Sequence, residues 1–226
     1  WTEEYHIDGF RFDLVGLIDT NTINTLVDEV HKIRPDAIFY GEGWTLGTNS
    51  EPGYSMSTQQ NAAQTPEFAY FSDVIRNLLA GDNSGSSLGY VSGATGQEGS
   101  VISNFKAMPW YSSDPSQIVQ YASCHDNYTL ADKLILSTKS IGLTDDVIRM
   151  NNLTAAIYMA SQGIPFIHAG EELLREKINT DGSRNHNSYN SSDYVNAIRW
   201  NNLAVPEYAD TSAYYQGLIA FRKAHP

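Results

Sequence analysis

Cysteine is almost absent. Cys124 stands alone among 226 residues, which excludes an internal disulfide and a cysteine-rich metal site. No apolar run approaches the roughly 18 residues of a membrane span. Basic residues are few, 14 against 26 acidic ones, and the net charge is −12. Nucleic acids and anionic membranes are recognised by clustered Lys and Arg, so neither is expected as a partner. Gly85, Gly89, Gly93, Gly96 and Gly99 are not followed by Gly-Lys-Ser/Thr, and they read as turn chemistry rather than a phosphate loop. No Asp-x-Asp-x-Asp loop offers the six to eight oxygens, or about that number, of a dedicated calcium site. A structural Ca²⁺ held by scattered loop residues stays compatible with the sequence. There is no internal repeat and no inter-domain linker. No signal-peptide pattern stands before Trp1 and no initiator Met is present, so the N-terminus is expected to lie upstream.

What is present is a core. Hydrophobic residues make up 41% of the chain and aromatics 12%, enough to exclude disorder. Ile7–Asp13 alternates like a strand. In the stretch DTNTINTLVDEVHKIRP, Asp19, Asn21 or Thr22 can cap the start of a helix, and Ile23, Leu26, Val27, Val30 and Ile33 follow the helical period, with Pro35 as its stop. AIFYGEGW reads as a second strand, so a parallel strand–helix–strand unit is predicted. Residues 45–66 read as a long polar loop. PEFAYFSDVIRNLLAG reads as a short strand and a helix closed by Gly81, and residues 82–116 as a loop-rich insertion. QIVQYASCHDN is a further strand, followed by helices near 128–137 and 144–161, the second ended by Gly163. IPFIHAGEEL is a strand, 175–195 a polar loop, and SAYYQGLIAFRKAHP a last helix.

The predicted strands end in residues capable of chemistry: Asp13, Glu42, the pair His125–Asp126, and a fourth near Glu171 and Glu172. Parallel α/β folds place their sites at that end. Alternation puts Phe10 and Phe12 on one face of the first strand, under helices, and Gly9, Arg11 and Asp13 on the other. Gly9 then leaves room beside Arg11. A carboxylate beside a guanidinium is held ionised, fit to attack or to bind metal. Glu42 lies between Gly41 and Gly43, which would clear an approach to it. Trp44 offers a flat apolar face, and apolar surroundings would keep Glu42 protonated as a general acid. Two carboxylates of opposed character are the pattern of glycoside hydrolysis. Each residue alone has a plainer reading: Asp13 a cap or an ion pair with Arg11, Glu42 a solvated charge, His125–Asp126 a capped turn, Cys124 a buried small residue, His168 a core histidine. The three Asn-x-Ser/Thr matches at Asn127, Asn152 and Asn190 are taken as chance.

In these motifs the sequence resembles the α-amylase superfamily of retaining glycoside hydrolases, and within it the type I pullulanases. DGFRFDLVG is similar to the strand-4 motif, YGEGW to the strand-5 motif and SCHDN to the strand-7 motif. The resemblance implies Asp13 as nucleophile, Glu42 as acid/base and Asp126 as stabiliser of the distorted sugar. It implies substrate contacts from Arg11, Trp44, His125, Tyr189 and Asn190, with no required cofactor and no catalytic metal. GIPFIHAGEELLREK and NHNSYNSSDYVNAIRW favour debranching of α-1,6 links in pullulan, amylopectin or limit dextrins. An isoamylase- or α-amylase-like hydrolase, or a non-catalytic glucan-binding segment, is the alternative. The implied fold is α/β, a (β/α)₈ TIM barrel of which residues 1–226 supply about strands 4–8. Strands 1–3 and a C-terminal β-sandwich would then be missing. An open half of a barrel exposes an edge strand, so the isolated chain is expected neither to fold stably nor to turn over.

Overall fold

The computed structural model describes residues 1–47 and 53–225; residues 48–52 of the predicted 45–66 loop lie outside the described residues. The elements in chain order are α1 (Thr2–Tyr5), β1 (Gly9–Phe12), α2 (Thr20–His31), β2 (Ile38–Gly41), β3 (Ala69–Phe71), α3 (Asp73–Ala80), α4 (Glu98–Phe105), β4 (Ile118–Gln120), α5 (Leu130–Thr138), α6 (Asp145–Ala160), β5 (Ile164–Pro165), α7 (Asp193–Asn196) and α8 (Pro206–Ala224). The strands form one sheet in the order β1-β2-β3-β4-β5. β1, β2, β3 and β4 pair successively in parallel. Sequential parallel pairing with helical crossovers is the arrangement of consecutive strands in a (β/α)₈ fold. Among the described residues no helix is long and apolar enough to cross a membrane.

The chain divides into two compact units. The first comprises Trp1–Ser72, Lys106–Val119 and Gln162–Ile164, the second Asp73–Phe105, Gln120–Ser161 and Pro165–Pro226. In the first, Asp19 is the one of the three candidate caps that starts α2: it accepts the N–H of Thr22 at 2.9 Å, satisfying one of the unpaired donors of the first turn. Its apolar stripe, Ile23 and Val27, is buried with Val15, Ala37, Phe39, Phe68 and Tyr70, and Phe10 and Phe12 pack against this cluster. The other face of β1 is thereby left to Arg11.

The second unit has its own core, in which Ile75 and Leu79 of α3, Leu130 and Leu134 of α5, Val147, Ala155 and Tyr158 of α6 and Tyr215 of α8 are all buried. Thr129 caps α5 and Thr144 caps α6. Gly81, at φ 89°, closes α3, and no side chain could replace it cheaply, since a Cβ would stand 2.3 Å from the Ser87 carbonyl oxygen.

Several boundaries differ from the sequence expectation. The 82–116 insertion contains α4, whose Gly and Ser content hid a helical turn pattern. α8 begins at Pro206 rather than Ser212, because proline fits the first helical position, where its missing N–H has no partner to lose. α6 ends at Ala160 with Ser161 as its cap, before Gly163. β5 is reduced to Ile164–Pro165: Pro165 has no N–H, and pairing passes to Phe166, which donates to the Gln120 carbonyl at 2.9 Å.

Candidate active site

In the first unit the register pairs Arg11 with Tyr40 and Phe12 with Gly41. One step beyond, at adjacent strand ends, come Asp13 and Glu42. The Arg11 guanidinium bridges them. Its Nη1 donates to Asp13 Oδ1 and its Nη2 to Glu42 Oε1 at 2.5 Å. The second oxygen of Glu42 accepts the backbone N–H of Leu14 at 3.1 Å. Leu14 sits in the left-handed region at φ 48°, a turn that swings its N–H back toward the β2 end. Main-chain bonds also fix Glu42: its N–H donates to Phe12 O at 3.1 Å, and its carbonyl accepts from Gly16 at 3.2 Å. The guanidinium carbon lies 5.6 Å from the Phe71 ring centre, a cation–π distance. Tyr40 stands edge-on to the same ring at 5.7 Å, and burial pushes its hydroxyl pKa up, offset in part by Arg11.

The two carboxylates differ in access. Asp13 is 59% exposed and Glu42 only 4% as side chains. Three expectations need correction here. Glu42 is not in apolar surroundings alone, because a guanidinium and an amide occupy its two oxygens. Gly41 and Gly43 do not clear an approach for substrate. A Cβ on Gly41 would come 2.6 Å from Phe12 O, and one on Gly43 2.3 Å from the Tyr70 ring, so both glycines answer to neighbouring protein. Gly9 likewise serves the β1–β2 approach, its Cβ position lying 2.4 Å from Ile38 O, rather than space beside Arg11. Trp44 is half-buried, and its carbonyl oxygen closes on Gly16, where a Cβ would clash at 2.0 Å.

In the second unit β4 runs into Ser123–Asp126. His125 and Asp126 are half-exposed, with His125 Nε2 3.5 Å from Asp126 Oδ1. Asn127 follows at φ 64°. Cys124 is half-buried rather than buried, its sulfur 3.6 Å from His125 Nδ1. Tyr189 and Asn190 face solvent. The loop that carries them reaches the 125–128 segment at His186, whose ring meets Tyr128 edge-on at 5.7 Å. Burial lowers the His168 pKa to about 3, with Lys177, Arg175 and His125 adding repulsion, so this side chain is a neutral core histidine.

Glu171 is visible in the sequence at a strand end, but its role is not, and Lys177 and Asp132 carry no sequence signal. Glu171 is buried and accepts hydroxyl bonds from Ser123 at 2.7 Å, Tyr158 at 2.6 Å and Tyr215 at 2.9 Å. Burial raises its pKa, against the pull of these donors. Asp132 of α5 is fully buried and accepts from the Lys177 N–H at 2.8 Å and from Arg184. Such groups leave no signal in a single sequence, because nothing in EELLREK marks which charges are inside.

A parallel sheet of strand–helix units with an arginine and two carboxylates at adjacent strand ends defines the class: a segment of a (β/α)₈ catalytic fold. No family model matches the chain. The chain is 34% identical over 233 residues to pullulanase of Bacillus subtilis strain 168, covering all of this chain and 31% of the relative. The crystal structure of a Paenibacillus barengoltzii pullulanase complexed with maltohexaose and α-cyclodextrin superposes with TM-score 0.90 at 39% identity, over 100% of this chain and 35% of that one. An Anoxybacillus sp. LM18-11 pullulanase complexed with maltotetraose gives TM-score 0.85 at 34% identity, over 96% and 31%. Over its whole length the chain is similar to a segment of these pullulanases, and it spans about a third of their length.

Proposed function

We propose that this chain carries the acid/base and nucleophile of a retaining glycoside hydrolase acting on α-1,6-linked glucans. The observation that carries the reading is the single guanidinium shared by Asp13 and Glu42 at adjacent strand ends. A bridge of that kind fits the close carboxyl pair of a retaining enzyme better than the wider pair that leaves room for a water. Asp13, the more exposed partner, attacks the anomeric carbon. Glu42 protonates the glycosidic oxygen and then, as base, activates the water that resolves the covalent intermediate. Arg11 holds both carboxylates in register. His125 and Asp126 take the sugar-hydroxyl contacts that the motif resemblance implies, and Trp44, Tyr189 and Asn190 extend binding along the glucan. This chemistry needs no cofactor.

The test is oligosaccharide release from pullulan by a protein carrying this segment at the full length of its relatives, with Asp13→Asn as control. Release that vanishes in the variant supports the reading. Substantial release by Asp13→Asn sinks the nucleophile assignment. Linear amylose cleaved in preference to pullulan would instead point to an α-amylase-like specificity.

A further inference from the structure

Lys177 is 2% exposed, and its ammonium is directed at the protein's own main chain. An ammonium so placed is costly unless something holds it. Its Nζ donates to the main-chain carbonyl of His125 at 3.0 Å. Its own backbone is pinned at both polar groups: the N–H donates to Asp132 at 2.8 Å, and the carbonyl accepts from Asn185 at 2.8 Å. Arg184, bridged antiparallel to Ile178, donates to the same buried Asp132 and to Glu176. The residues around 177–185 therefore form a small turn-back anchored on α5, with one cation projecting from its base to a single carbonyl.

That carbonyl belongs to the peptide joining His125 to Asp126. A peptide is planar, so holding its oxygen restrains the plane and with it the position of the Asp126 Cα. The next residue, Asn127, is left-handed, and an unheld segment ending in such a turn has other conformations open to it. We infer that Lys177 is a positioning residue for Asp126, acting through the His125 carbonyl and without touching substrate. This rests on the catalytic reading of the 125–126 segment. A charge-assisted bond is stronger than a neutral one, which accounts for a buried lysine here where an apolar side chain would fill the space at lower desolvation cost.

The experiment is a double-mutant cycle in the full-length protein with pullulan as substrate. Lys177→Met is expected to lower kcat about tenfold to a hundredfold, the scale of a misplaced catalytic group, while KM moves by less than about threefold. In an Asp126→Asn background the same substitution should cost less than about twofold, because the group it positions is already gone. Should Lys177→Met fail to fold, Lys177→Arg, which keeps the cation but not its point geometry, is read in the same cycle. Losses that multiply in the double variant, or a kcat within about twofold of the parent for Lys177→Met, overturn the inference while leaving Asp126 in its role. Asp126→Asn with parental activity overturns the role of Asp126 and the inference with it.

Discussion

Two buried glutamates, one in each unit, stand just beyond or near a strand end and are handled in opposite ways. Glu42 is 3% exposed and Glu171 4%. Glu42 is given a cation, Arg11, and a backbone amide. Glu171 is given three neutral hydroxyls and no cation among its hydrogen-bond partners. Hydroxyls can donate to a carboxylate or accept from a carboxylic acid, so the Glu171 cluster tolerates either state and ties α6 and α8 to the segment after β4. A guanidinium only donates. It holds one geometry and adds charge, and it reaches outward to the exposed Asp13. Burial and strand position are shared; the kind of donor differs, and on the proposed function it separates the carboxylate that does chemistry from the one that holds structure.

Removing the charge from each carboxylate separates the two roles by the largest margin. Asp13→Asn or Glu42→Gln in the full-length protein should lower kcat on pullulan by about 10⁴-fold or more, with the unfolding midpoint close to the parent's. Glu171→Ala should do the reverse. It leaves buried hydroxyls unpaired around a cavity and costs about 3 kcal/mol of stability, measured by urea unfolding. Glu171→Gln keeps the size and most acceptor capacity and should cost about 1 kcal/mol. Its sign with pH follows from the raised pKa: the contribution of Glu171 is fully present below the ordinary carboxyl range and is lost as pH rises through the folded value. The Gln variant should therefore be tolerated better as pH rises through that value. A Glu171→Ala protein that keeps its stability but loses turnover would reverse the two assignments.

Arg11 and Asp13 are legible in the sequence because period-2 alternation sets them apart in an apolar run, and Glu42 because it ends one beside Trp44; the Asp19 cap of α2 is legible among its candidates. The reasons for the glycines are not, since close approach is a property of the neighbour. Gly41 and Gly43 looked like clearance around a carboxylate, yet both face protein atoms. Helix α4 was hidden by the flexibility its Gly and Ser suggested, and the Lys177–Asp132 contact joins residues 45 apart, beyond any periodic signal.

The glycine correction is directly testable, with smaller effects. Gly43→Ala would place a methyl against the ring of Tyr70, which is fully buried and bonded to Thr65 at 2.6 Å. That ring cannot swing away, and the expected cost is about 2 kcal/mol. Gly99, inside α4, has nothing within 4 Å of its Cβ position. Gly99→Ala should stabilise by about 0.5–1 kcal/mol through helix propensity. If Gly43→Ala were neutral in stability but raised KM for pullulan, the substrate-clearance reading would be restored.

His168 is buried in the second unit, and its pKa is lowered to about 3, chiefly by desolvation and then by Lys177, Arg175 and His125. A depressed folded value means that the unfolded chain binds the proton more readily. The stability His168 contributes is therefore present above its ordinary range near 6.5 and is lost as pH falls from there toward about 3. The ceiling on that slope is about 1.4 kcal/mol per pH unit for one proton. His168→Gln, which cannot take up the proton, should flatten the acid limb of stability against pH by about that amount per unit. Urea midpoints collected from pH 7 down to the acid limb give the comparison. Parallel curves for parent and variant would mean that His168 reaches water before the fold opens. The core around Lys177 and His125 would then be looser than the hydrogen bond at 3.0 Å between them requires.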